Sequence, residues 1–184
     1  MTRSEARRPL PTLASKEGVH RFAEEVGQKV GYHPGFSIEP IVTELGGSIV
    51  HLSPFAVGGE PPPSIYVVNN RKFTIYLPIT TAPRRNRFTI AHELGHLFLH
   101  YPMVQRDVPG AAMEATRWVN EDDADQRRAE WEANWFAAGF LMPENHFREL
   151  CRVHNNDRGA IAEALDVSEP AVHIRARNMG LAIS

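Results

Sequence analysis

The chain is poor in cysteine: Cys151 is the only one in 184 residues, so no intrachain disulfide can staple the fold. That fits a reducing compartment. Long apolar runs are missing too, since none approaches the ~20 residues a membrane-spanning helix requires. Charge of one sign is not in excess. A net charge of −2 provides no basic stripe of the kind that nucleic acid recruits. Met1 to Ser15 carries Arg3, Arg7, Arg8, Pro9 and Pro11 but no apolar stretch. It does not read as a secretory signal, and a disordered tail over 1–15 is expected. The cytoplasm is the expected location.

What is present is the composition of a globular domain, 42% hydrophobic and 23% charged, with length enough for a real core. Val19, Phe22, Ala23, Val26 and Val30 recur at steps of three and four, which predicts an amphipathic helix from Lys16 to about Tyr32. A short helix is expected from Ser37, as its N-cap, to Gly46-Gly47. Three strands follow, over Ser48–Leu52, Ser64–Val68 and Phe73–Leu77. Gly58-Gly59 and Pro61-Pro62-Pro63 make the first connection a long loop. Asn69-Asn70-Arg71-Lys72 makes the second a tight hairpin. A helix opens at Pro83 and runs to Tyr101, where Pro102 is expected to stop it. Pro102 to Gln126 lacks a period and is expected to be a loop, with one turn of helix around Met113 to Val119. Helices are then predicted over Arg127–Leu141, Glu144–His154, Arg158–Leu165 and Glu169–Asn178. Helix, small sheet, then helices describes an α+β domain.

The informative stretch is His92-Glu93-Leu94-Gly95-His96. On a helix, residues four apart share a face about 6 Å apart along the axis. Two imidazoles so placed converge on one cation, as in HExxH zinc sites. Glu93, beside the first histidine, is placed to take the proton of an attacking water. The flanks Phe88 to Ala91 and Leu97 to Leu99 make the helix a buried one, where two histidines and a carboxylate are costly without partners. Gly95 faces away from the ligands and permits another element to approach closely.

Such a site needs a third protein ligand and one open position. His100 is too far along the helix and rotated too far to join the other two. The helix around Glu130-Trp131-Glu132-Ala133-Asn134 offers carboxylates instead. Glu132 borders the core-facing stripe of Ala129, Ala133, Phe136 and Ala137 and is the preferred candidate, because a carboxylate there needs compensation that a metal supplies. Glu130 and the acids from Glu121 to Asp125 remain as alternatives.

Arg87 to His100, containing the histidine motif, resembles the signature of the ImmA/IrrE-type metallopeptidases. Glu132-Ala133-Asn134-Trp135-Phe136-Ala137-Ala138-Gly139-Phe140-Leu141-Met142-Pro143 resembles that family's second motif. The resemblance implies a zincin-like metallopeptidase domain, here over 16–150, with a small three-stranded sheet and the HExxH helix. It also implies that the glutamate before Ala-Asn, Glu132, completes a Zn2+ site with His92 and His96. Manganese or iron suit the same donors. The implied activity is intracellular peptide-bond hydrolysis directed at a partner protein such as a helix-turn-helix repressor or an antitoxin. The alternatives are a metal-stabilised binding protein that does not cut, and a DNA-binding regulator.

Residues 151–184 are expected to be a helical, helix-turn-helix-like appendage, with Ser168 capping its second helix. Its charge balance, Arg158, Arg175 and Arg177 against Asp157, Glu163, Asp166 and Glu169, suits protein docking better than direct contact with nucleic acid. Arg84, Arg85 and Arg87 read as a solvated basic cluster. An oxyanion donor is also needed. His100 and Tyr76 are the named candidates among several, which include His51, Tyr66, Tyr101 and His146.

Overall fold

The computed structural model describes residues 6–52, 63–79, 82–116 and 122–184. The start of the expected tail, Gly58-Gly59, Pro61-Pro62, Val119 and Glu121 lie outside the described residues. The elements run α1 Lys16–Lys29, α2 Glu39–Glu44, β1 Gly47–Leu52, β2 Ile65–Asn69, β3 Lys72–Pro78, α3 Pro83–Gly95, a π-helical segment His96–His100, α4 Tyr101–Asp107, β4 Met113–Ala115, α5 Ala124–Leu141, α6 Glu144–Val153, α7 Arg158–Leu165 and α8 Glu169–Asn178. This is the expected α+β architecture.

The sheet has four strands rather than three, in the order β1-β3-β2-β4. β1 runs parallel to β3, and the β2–β3 hairpin turns at Asn70-Arg71 as its sequence predicts. The additional strand, β4, pairs antiparallel with β2, setting Val67 against Met113 and Ile65 against Ala115. A turn of helix was expected there. Met113 and Ala115 point into the core and Glu114 out, which is strand alternation compressed into three residues. Buried Ile65, Val67, Phe73, Ile75 and Leu77 belong to one core cluster with Ile90 and Leu94 of α3 and Phe136 and Phe140 of α5.

Two further expectations are corrected. The helix does not stop at Pro102; it widens to a π turn over His96–His100, where the Tyr101 N–H reaches back to the His96 carbonyl, and continues as α4. Proline lacks the N–H that an α-helical bond would need, and the wide turn accommodates it. Nor are residues 6–15 a free tail. Arg7 bridges Met113 at the outer edge of β4, Thr12 and Leu13 bind a carboxylate of α5, and Ser15 caps α1 by accepting from the Gly18 N–H.

α5 is the central helix, packed against both α1 and α3. Gly95 is where α3 comes closest: a Cβ there would lie 3.0 Å from Ala133 Cα. The C-terminal helices are tied to this body by Asp166, at the turn between α7 and α8, which pairs with Arg84 at 3.1 Å and Arg87 at 2.6 Å. Arg175 of α8 is also buried, donating to the Met142 carbonyl, His20 Nδ1 and Glu24. Two members of the basic cluster are therefore structural. Among the described residues no helix is long and apolar enough to cross a membrane.

Candidate metal centre

The close approach of α3 and α5 brings three donors together. His92 Nε2 and His96 Nε2 are 3.2 Å apart. Glu130 reaches both, with one oxygen 3.2 Å from His92 Nε2 and the other 3.3 Å from His96 Nε2. All three donor groups lie within 4.8 Å of one another, a grouping that could hold a metal ion. The carboxylate that meets the histidines is thus Glu130, not the expected Glu132.

The second nitrogen of each histidine is already engaged. His92 Nδ1 lies 3.0 Å from Asn134 Oδ1, and His96 Nδ1 lies 2.9 Å from His100 Nδ1. With Nδ1–H donating outward in both rings, the two Nε2 lone pairs and the carboxylate converge on one point, an arrangement that a cation stabilises. Burial pushes His96 down to about 4, so it is neutral. Burial also opposes a charge on His92, but hydrogen bonding to Glu130 and the charge of Glu93 outweigh it and raise its pKa. Burial would raise the Glu130 carboxyl, and the two imidazoles overcome that and hold it far below the usual range.

Glu132 is fully buried, as its place on the stripe predicts, but its compensation is different. It accepts from the Thr12 N–H and Thr12 Oγ1, both at 2.8 Å, from the Leu13 N–H at 2.8 Å, and from Arg128 Nε at 2.9 Å. His100 Nε2, at 3.2 Å, completes the set. These partners draw the Glu132 pKa down to about 2 against the cost of burial. A buried chain therefore runs from Glu132 through His100 to His96. It holds His96 in the tautomer that leaves Nε2 free, the orienting role that outer partners play around metal-bound histidines.

Glu93 is 2% exposed and accepts from Ser64 Oγ at 3.0 Å. It opens on a cleft of about 300 Å³ whose walls include Ser64, Arg85, His92, Thr116, Glu130 and Asn134. Neither expected oxyanion donor reaches that cleft. His100 is buried behind His96, and Tyr76 of β3 alternates away from the buried Ile75 and Leu77. Sequence reasoning missed Ser64 and the role of Asn134. Asn134 carried a signal, because it stands four residues after Glu130 and so shares its helix face.

Fold and site together define an α+β domain built around two histidines and one carboxylate that could hold a metal ion. The family model of the IrrE N-terminal-like domain, peptidase family M78, matches residues 60–177, and the chain belongs to that family. Among solved structures, a Mycobacterium tuberculosis transcriptional regulator superposes with a TM-score of 0.56 at 17% identity, covering 85% of this chain and 45% of that one. The likeness is one of fold, and the chain spans less than half of that regulator. No curated protein matches the chain.

Proposed function

We propose that the chain is a zinc-dependent endopeptidase that cleaves a partner protein, with a helix-turn-helix repressor or an antitoxin as the substrate class. The observation that carries this reading is the convergence of His92, His96 and Glu130, with His92 and Glu130 lining a cleft that also holds Glu93. These three residues would hold the zinc; manganese is the alternative for the same donors. Bound there, the metal supplies Lewis-acid polarisation of the scissile carbonyl and acidifies water.

The protein's own groups do the rest. Glu93, held by the Ser64 hydroxyl, takes the proton of the attacking water and delivers it to the departing amine. Asn134 orients His92, and the Glu132–His100 pair orients His96. Of the three C-terminal arginines that a DNA-binding alternative would use, Arg175 is buried and Arg158 pairs with Glu169 at 3.0 Å, which leaves Arg177 exposed.

Glu93→Gln tests the assignment. The variant should keep its zinc, measured by elemental mass spectrometry, and lose cleavage of a candidate repressor by roughly 10²–10⁴-fold. Wild-type cleavage by the variant would reject Glu93 as the base. A zinc-loaded wild type that cuts neither repressors nor a broad peptide mixture would leave a binding role.

A further inference from the structure

A second and larger cavity, of about 680 Å³, lies beside the metal cleft between α5, the start of α3 and α8. Its walls are mostly apolar and include Phe88, Trp131, Trp135, Pro170, Ala171 and Ile174. Trp131 and Ile174 are 54% and 59% exposed, and large apolar groups left open to water in one groove mark a binding surface. The volume is that of a ligand pocket rather than a packing defect.

Two observations say what belongs there. First, the groove adjoins the metal cleft: Arg85, Phe88 and Asn134 line both, and Asn134 is the residue that holds His92. Second, the groove is charged in one sense. Lys16, Arg84, Arg85 and Arg175 line it, and no aspartate or glutamate does among the described residues. Asp166 pairs with Arg84 and Glu24 with Arg175. Lys16 and Arg85 have no carboxylate partner among the described residues.

We propose that this groove is the subsite that selects the substrate, taking the stretch of the cleaved polypeptide next to the scissile bond where a large apolar side chain is flanked by a carboxylate. The inference rests on the endopeptidase reading and deepens it. It also gives the C-terminal helices a role, because the α7–α8 turn and α8 form the far wall of the groove. The appendage then reads protein sequence rather than DNA.

The test uses full-length, zinc-loaded Glu93→Gln protein and three labelled synthetic peptides, followed by fluorescence anisotropy. One peptide pairs leucine or phenylalanine with aspartate, the second pairs the same apolar residues with lysine, and the third pairs serine with aspartate. The apolar–acidic peptide should bind about tenfold or more tightly than either of the others. Adding Trp131→Ala, at an exposed position, should weaken it by about tenfold or more without changing zinc content. Adding Arg85→Glu should turn the preference toward the lysine peptide. Equal affinity for all three peptides, or unchanged binding in both variants with their circular dichroism intact, would overturn the proposal. The two readings fail separately. Selective binding with no cleavage by the wild type would leave the groove standing as a docking site and remove the peptidase. Cleavage without this preference would keep the peptidase and remove the subsite.

Discussion

Glu130 and Glu132 leave α5 roughly 200° apart at 3.6 residues per turn, so one helix sends one carboxylate to the cleft and the other to the interior. Burial and the resemblance to the family's second motif both favour Glu132, and its burial is real. What the sequence could not show was the compensation, because the donors come from Thr12 and Leu13, 120 and 119 residues away in the chain. Reading those residues as a free tail hides the donors, and a carboxylate whose donors are unseen looks as though it needs a metal. His92, His96 and Glu93 were legible because their spacing is local to a single helix. The two acids should now separate in experiment. Glu130→Ala should purify without zinc. Glu132→Ala should retain about one zinc per chain but release it to a chelator about 10–100-fold more readily, the usual effect of removing an orienting partner. Elemental mass spectrometry with chelator competition measures both, and equal loss in the two variants would defeat the distinction.

The longer helices are legible in local periodicity; α4 and the short strand β4, which fall where a loop with a turn of helix is expected, are not. Three residues are too few for alternation to stand out, and β4 is defined by pairing with Val67 and Ile65 more than forty positions earlier. Pro102 does not end the helix, and the π turn that accommodates it has no sequence mark of its own. Gly95 is a point of close approach, as its place in the motif predicts, and the approaching element is α5. An added Cβ would meet Ala133 Cα at 3.0 Å and Phe136 Cβ at 3.2 Å, so the helices that carry the ligands must separate. Gly95→Val is expected to cost about 1–3 kcal/mol by overpacking and to weaken zinc binding as well, because Glu130 moves away from the histidines. Urea unfolding and zinc titration on the same preparation would check this. A variant that loses stability yet binds zinc as tightly as the wild type would show that the interhelix distance does not set the site.

At the scale of the whole molecule, the ends of the chain are fastened to its centre. Between α1 and α8, His20 accepts from Arg175, and burial together with the Arg175 charge lowers its pKa to about 4. The unfolded chain therefore takes up the His20 proton before the folded one does. This contribution falls away as pH drops from about 6.5 to 4 and is constant above that window. Urea midpoints across the window should fall less steeply for His20→Gln than for the wild type; parallel slopes would reject the account.

The N-terminal segment fastens the molecule in another way, because three of the donors to Glu132 are the Thr12 and Leu13 N–H groups and the Thr12 hydroxyl. Deleting residues 1–13 from the wild type strands a buried carboxylate, whereas the same deletion in Glu132→Ala removes donors that no longer have that acceptor. The two changes should therefore be strongly non-additive. Hydrogen bonds to a charged group contribute about 1.5–3 kcal/mol each, and a coupling on the order of 2–3 kcal/mol is expected from a double-mutant cycle in urea. The coupling should also reach the metal. In the wild-type background the deletion should make zinc easier to remove, since an unsupported Glu132 no longer holds His100 against His96. In the Glu132→Ala background it should have little further effect on zinc. Additive losses in both measurements would mean that the segment merely covers the sheet edge at Met113.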